Sequence, residues 1–394
     1  MKLYFASIFL LFSTILLAQR QKTKDSILIK NIKVFNTNYK EFEVVENKIY
    51  AVTNGDSLVL IDFKNSKAEF LDKNVVSIIK NSNGNIFLIK NNGDVFGQNL
   101  KSKFIKVTSL IANKFYAIKV DNNDEVVVFS DKAIHYKNQE FIPNLESPFY
   151  RKSGRRKRSD FLIPTDYLFV DKQNYMWFAY NAGEWGGDVC FFDLNKKKFI
   201  YDLNDNNGEN FPYNNSYISS SIKGVVYKNE DIYISSSSMH FYISGVFYRL
   251  KKTNSKFEFC YNDNILENKI ISIDTLKLKH PGLSHYTEEK WKNFQKLTRT
   301  YQEYLGPINF NKFDMSLYYY SNLGFYKLLE EDDCVFSKEL FFKPQISWQQ
   351  RLPDAVGYQM NISKFEFISK NELVFLTTNN GIGFYNGKEV KYFK

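Results

Sequence analysis

The chain has 394 residues, of which 44% are hydrophobic, 24% charged and 17% aromatic, with a formal charge of +10. That apolar share supplies a globular core and excludes a disordered or collagen-like chain. The 37 Phe and 27 Tyr favour strands, and Asn and Lys fill the intervals, so the composition predicts strands joined by polar turns.

Residues 1–18 read as a secretory signal: Lys2 supplies the positive start, Leu3 to Leu17 carry no charge, and Ala18-Gln19 opens the polar chain. The apolar run is shorter than the ~20 residues that span a bilayer, so cleavage is expected rather than anchoring. No second segment approaches that length. The expected address is periplasmic or extracellular, with residues 19–394 forming one domain. The alternating stretch Ser26 to Phe35 is expected to add a strand that closes the fold against its last unit.

An internal repeat follows. Polar turns precede β-branched or aromatic runs at Asn47-Lys48 before Ile49-Tyr50-Ala51-Val52, Asn83-Gly84-Asn85 before Ile86-Phe87-Leu88-Ile89, and Asn123-Asp124-Glu125 before Val126-Val127-Val128-Phe129. The phrase returns as Gln173-Asn174-Tyr175 before Met176-Trp177-Phe178, Asn229-Glu230-Asp231 before Ile232-Tyr233-Ile234, and Asn371-Glu372 before Leu373-Val374-Phe375, with a degenerate copy near Asp314 to Tyr320. Each copy is a strand, a turn and a second strand; a third strand then opens on glycine at Gly93, Gly187, Gly245, Gly324 and Gly383, where a hairpin with positive φ is expected. A fourth strand closes the unit.

Taking Ile49, Ile86, Val126, Met176, Ile232, Leu317 and Leu373 as equivalent gives spacings of 37, 40, 50, 56, 85 and 56. Four-stranded antiparallel units of roughly 40 residues pack radially as propeller blades. The reading is an all-β, seven-bladed β-propeller with one helical insertion. Six blades remain open if one copy is false, and eight if the longest interval hides another.

The insertions are where function is expected. Residues 144–163 carry Arg151, Lys152, Arg155, Arg156, Lys157 and Arg158, six positive charges read either as an anion-binding loop or as a solvated one. In residues 281–307, Thr287 caps a helix starting Glu288-Glu289, with Trp291, Phe294, Leu297, Tyr301 and Leu305 on one face and Gly306-Pro307 as the stop. That face packs on the propeller or receives a partner. The segment Asn181 to Gly187 and the loops Asp205 to Tyr217 and Lys343 to Met360 offer Trp185, Tyr213, Tyr217 and Trp348. These are read as a rim of aromatics for a sugar ring or a protein, or as rings packed on their own loops.

Catalytic motifs are absent: no HExxH, no GxSxG elbow and no P-loop occurs. Cys190, Cys260 and Cys334 lie far apart in strand-like runs and read as small buried hydrophobes, with one disulfide as the alternative. His135, His240, His280 and His285 are scattered, and neither a metal site nor a cofactor is expected.

The phrase of polar turn, Ile-aromatic strand and Gly-aromatic hairpin resembles the two-component-regulator-propeller repeat of secreted and sensor proteins. The resemblance covers nearly the whole mature chain. The family phrase carries a Trp in the second strand, met here by Trp177, and a Thr before the glycine, approached by Thr377-Thr378 before Gly381. The resemblance implies the fold and hardly restricts function. The expected function is a non-catalytic binding module that meets an envelope protein or an anionic or glycan ligand through its insertion loops. Nucleic acid is not an expected partner. A propeller-fold glycan hydrolase or lyase using funnel carboxylates is the alternative, and a stand-alone ligand sensor the third reading.

Overall fold

A computed structural model describes residues 27–98, 103–144, 162–181, 187–200, 213, 221–239, 243–253, 256–262, 273–279, 281–292, 303–332, 335–344, 346 and 362–394. The signal segment and residues 151–158 lie outside the described residues, as do Trp185, Tyr217 and Trp348.

Seven antiparallel sheets follow the repeat. Blade 1 holds β2 (Tyr39–Val45), β3 (Lys48–Thr53), β4 (Ser57–Asp62) and β5 (Lys67–Lys73), preceded by β1 (Leu28–Ile32). Blade 2 holds β6 (Val75–Lys80), β7 (Ile86–Lys90), β8 (Asp94–Gln98) and β9 (Phe104–Ser109). Blade 3 holds β10 (Phe115–Val120), β11 (Val126–Ser130), β12 (Ile134–Tyr136) and β13 (Gln139–Phe141). Blade 4 holds β14 (Tyr167–Val170), β15 (Tyr175–Asn181), β16 (Gly187–Asp193) and β17 (Lys198–Ile200). Blade 5 holds β18 (Ile222–Lys228), β19 (Asp231–Met239), β20 (Ile243–Thr253) and β21 (Lys256–Asn262). Blade 6 holds β22 (Leu305–Asn311), β23 (Ser316–Ser321), β24 (Gly324–Asp332) and β25 (Val335–Phe342). Blade 7 holds β26 (Ile362–Phe367), β27 (Leu373–Thr377), β28 (Ile382–Tyr385) and β29 (Glu389–Phe393).

The second strand of each blade is an apolar run because both of its faces are covered. Trp177 faces blade 5, packing with Phe191 of its own blade and with Ile232 and Ile234 of blade 5. Its neighbours Met176 and Phe178 face blade 3 and meet Val127 and Phe129. The same alternation sets one apolar cluster at each of the seven blade-to-blade seams. Burying one such Phe or Ile side chain contributes about 1.5–3 kcal/mol, so the seams rather than the individual sheets hold the ring.

Polar turns between the first and second strands have a common construction. Asn81, Asp121 and Asp171 each accept the amides two and four residues later, at 2.8–3.1 Å. The residue between those amides takes positive φ: Gly84 at 80°, Asp124 at 62° and Asn174 at 63°. The turns also join hands across blades. Ser82 donates its amide and hydroxyl to Asp124 at 2.9 and 2.6 Å, and the Asn122 amide donates to Asn174 Oδ1 at 2.9 Å.

Glycine at the third strand has two origins. Gly93 and Gly324 hold φ of 88° and 144°, as the hairpin reading requires. Gly245 and Gly383 depart from that expectation, because space is what they supply. A Cβ on Gly245 would lie 2.2 Å from the Glu303 carbonyl oxygen, and one on Gly383 would lie 2.2 Å from the Phe375 ring.

The expected closing strand is present. β1 lies parallel to β29, with Leu28 opposite Glu389 and Ile32 opposite Phe393. It adds a fifth strand to a blade that residues 362–393 already complete, so it braces the outer edge.

The helical insertion differs from its expected extent. Thr287 accepts the Trp291 amide through its carbonyl at 2.9 Å, and residues 288–292 are helical as predicted. Leu305, Gly306 and Pro307, however, belong to β22 and begin blade 6. An additional helix, α1 (Ile273–Lys279), precedes the insertion. Periodicity extended the helix through Leu305 because a buried inner strand is apolar on both faces and satisfies a helical count as well.

Candidate functional site

The first strand of every blade lines the central channel and presents an unpaired edge there, so its backbone groups need partners. Side chains from the neighbouring blade provide several. Glu41 accepts the Ile78 amide at 2.9 Å, Ser77 the Ile118 amide at 3.3 Å and Tyr167 the Val225 amide at 3.0 Å. Asn309 donates to the Phe365 carbonyl at 2.5 Å, and Lys364 to the Phe42 carbonyl at 2.6 Å. Gly224 is required where β18 approaches β22, since a Cβ there would lie 2.6 Å from the Ile308 amide nitrogen.

Between these strands lies a cavity of about 420 Å³ that all seven blades line. Its charged lining is Glu41, Glu43, Lys119, Lys223 and Lys364, beside a wall of Ile79, Tyr167, Phe169, Ile308 and Phe365. Lys364 pairs with Glu43 at 2.7 Å. Burial lowers the Lys364 ammonium's pKa, but Glu43, Glu366 and Glu41 outweigh that effect and raise it above the ordinary lysine value. Lys80 pairs with Glu366 at 2.5 Å, and Lys119 stands 3.9 Å from Glu41. Each channel carboxylate is thus engaged by a lysine, a backbone amide or both, which suits ring cohesion better than glycan acid–base chemistry.

Lys223 is different. Among the described residues its ammonium bonds only to Ser221 Oγ, at 3.1 Å, and it lies 5.5 Å from the centre of the Tyr304 ring. Burial pushes its pKa below the ordinary lysine range, with Asp166 acting weakly in the opposite direction. Lys223 occupies a bulge between Ile222 and Gly224 at the start of the inner strand. Sequence reasoning missed it because one lysine among many carries no motif, and its placement depends on the repeat register.

A serine–histidine–glutamate arrangement exists in blade 3. Ser130 Oγ lies 2.9 Å from His135 Nε2, and His135 Nδ1 lies 3.5 Å from Glu140 Oε1. Ser130 is completely buried, however, and its oxygen already accepts the Lys132 and Ala133 amides at 3.2 and 3.1 Å. Thr53, Ser321 and Thr377 cap the corresponding turns in blades 1, 6 and 7. The hydroxyl is therefore a turn cap, and His135 is its buried partner.

Among the sequence-predicted site residues, Tyr213 is the one described, and it is interior. Its ring stacks on Phe191 with centroids 5.6 Å apart and meets Trp177 edge-on at 4.8 Å. Its hydroxyl donates to the buried Asp171 carboxylate and to Gln173 Oε1. It fills the seam between blades 4 and 5 and is not an exposed rim aromatic. Near the end of the 144–163 insertion, Leu162 is buried and its amide donates to the Asp131 carbonyl at 2.8 Å.

Cys190 is a buried thiol packed among Phe178, Phe192 and Met176, as the small-hydrophobe reading expects. Cys260 lies in β21, and Cys334 lies outside the described residues. Among the described residues no three His, Cys, Asp or Glu side chains gather as metal ligands, and no helix is long and apolar enough to cross a membrane.

No family model matches the chain, and no curated protein matches it. Solved structures do. A catalytically inactive virginiamycin B lyase from Staphylococcus aureus, solved with quinupristin, is similar with a TM-score of 0.50 and 11% identity, over 89% of this chain and 94% of that one. YCF48 bound to D1 peptide gives 0.48 and 8% identity, over 91% and 93%. The β-propeller domain of the Trilobed protease from Pyrococcus furiosus gives 0.44 and 8%, over 90% and 97%. At such identities the likeness is one of fold, and the fold is a seven-bladed β-propeller.

Proposed function

We propose that this chain is an exported, non-catalytic propeller that recognises an envelope protein or surface ligand, similar in its repeat to the regulator-propeller kind. The observation that carries the reading is strand polarity. Every passage from one blade to the next runs from an outer strand to the start of the following inner strand. The four long connections, 142–166, 201–221, 263–304 and 343–361, therefore all join blades at the same face. They follow blades 3 to 6 in succession. The opposite face carries short turns that clasp one another. Lengthening one face alone concentrates variable surface on a rigid scaffold, the arrangement by which loop-borne recognition sites are built.

A pull-down from envelope extract with the mature chain tests this, beside a variant whose residues 151–158 are replaced by Gly/Ser. A stoichiometric partner captured by the first and lost by the second supports recognition through that connection. Capture of nothing by either form overturns the protein-partner reading.

A further inference from the structure

We infer that the central channel is a binding site for a small organic carboxylate, its acid group held by Lys223 and its apolar body lying against Tyr167, Phe169 and Ile308. The inference stands apart from the connection-face reading, since Lys223, Tyr167, Phe169 and Ile308 all belong to inner strands. The cavity, at about 420 Å³, lies within the range of small-molecule pockets and combines an apolar wall with a set of charged groups. Three lysines and two glutamates line it, leaving one positive charge unmatched. That excess belongs at Lys223, because Lys364 is bonded to Glu43 and Lys119 stands beside Glu41.

The repeat supplies an internal comparison. Six of the seven inner strands carry an irregularity in the same place, between Tyr39 and Glu41, Val75 and Ser77, Phe115 and Ala117, Ile222 and Gly224, Leu305 and Ile308, and Ile362 and Lys364. In blade 1 the bulged residue is also a lysine, Lys40, and it is paired with Asp56 at 2.5 Å. In blade 5 the bulged Lys223 lines the cavity and, among the described residues, has no carboxylate within salt-bridge distance. Its one bond to Ser221 leaves two ammonium hydrogens for another acceptor. Burial disfavours an isolated ammonium, and a ligand carboxylate would restore the charge balance that Asp56 gives Lys40. A single charge among aromatic and aliphatic walls matches a monoacid with an apolar body better than a phosphate or a sugar.

The test is calorimetric titration of the full chain with three acids, phenylacetate, 3-phenylpropionate and hexanoate, and with their primary amides, each to about 10 mM. We expect at least one acid to bind about tenfold or more tightly than its amide. Lys223→Gln should remove that preference, whereas Lys40→Gln, at the equivalent bulge, should retain it. Thermal unfolding of both variants checks that they fold. If Lys223→Gln fails to fold, the acid-to-amide ratio on the unaltered chain decides. Equal binding of acids and amides, an acid preference that survives Lys223→Gln, or no binding of any acid would each overturn the inference. None of these results bears on capture of a protein at residues 151–158.

Discussion

Lys364 of the last blade donates to Glu43 of the first at 2.7 Å and to the Phe42 carbonyl at 2.6 Å, joining β26 to β2 across 321 residues. On the other side of the same strand, Lys80 donates to the Val44 carbonyl at 2.7 Å and to Glu366 at 2.5 Å. Blade 1 is thereby tied to blades 7 and 2 along its channel edge. The chain also crosses the blade 7–blade 1 seam at residues 33–38, between β1 on the edge of blade 7 and β2 of blade 1, so these side-chain ties reinforce at the channel a closure already made by backbone at the rim.

Removing one member of that pair should cost more than removing both. Glu43 keeps only 7% of its side-chain surface exposed, whereas Lys364 keeps 38% and still meets channel solvent. The expected cost of Lys364→Met is therefore about 1–2 kcal/mol, below that of a fully buried pair. The double variant Lys364→Met with Glu43→Leu should recover part of this loss, since it leaves no uncompensated carboxylate. Urea midpoints of the two single variants and the double variant give the coupling directly.

Asp171 is the most heavily used carboxylate of the turns. It accepts Trp177 Nε1 at 2.7 Å, the Tyr175 and Gln173 amides at 2.8 Å each, and the Tyr213 hydroxyl. Burial raises its pKa above the usual carboxylate range, partly opposed by the Trp177 and Tyr213 bonds. Asp171→Ala would leave buried indole and phenol donors unsatisfied, and we expect a loss of about 3–5 kcal/mol. Tyr213→Phe removes one donor and keeps the ring, so about 1–2 kcal/mol is expected. Chemical denaturation orders the two, and equal losses would contradict this account.

Most of the architecture was legible because propeller physics repeats. Turn, apolar strand and glycine hairpin recur at a period near one blade, so Ile49, Ile86 and Val126 mark equivalent strands without any structure. A turn-capping hydroxyl was legible only at Thr377, although Thr53, Ser130 and Ser321 do the same work with different neighbours. Leu305 was misread as helical because a strand buried on both faces loses its two-residue alternation. Lys223 was invisible for another reason. Its significance comes from which lysines find carboxylates, and that depends on the neighbouring blades rather than on local sequence.

Close approach of inner strands gives a third prediction. Gly224 lets β18 pass β22, where a Cβ would lie 2.6 Å from the Ile308 nitrogen and 3.1 Å from Ser235 Oγ. Backbone cannot retreat as a flexible side chain can, so Gly224→Ala should destabilise by about 1–3 kcal/mol through overpacking. Gly84→Ala has open space around its Cβ and meets only the backbone cost of φ at 80°. That cost is about 1–2 kcal/mol. The two variants should also separate by ligand binding: displacement of β18 would disturb the neighbouring Lys223, whereas a change at the distant turn should not.

His135 makes stability depend on pH. Its burial lowers the imidazole pKa below 6.5, while Glu140 and Asp131 oppose the shift and Lys132 adds to it. The unfolded chain therefore takes up a proton near pH 6.5 that the folded chain does not yet accept. Protons favour the unfolded state in that window, so the contribution of neutral His135 is present above pH 6.5 and declines as the pH falls below it. One such group changes stability by at most about 1.4 kcal/mol per pH unit. His135→Gln keeps a hydrogen-bonding side chain beside Ser130 and cannot titrate. Urea midpoints measured from about pH 7.5 to about pH 5.5, one unit either side of the ordinary histidine value, should fall more steeply for the unaltered chain than for the variant. Parallel curves would mean that folded and unfolded His135 bind protons alike, which its burial beside the Ser130 turn argues against.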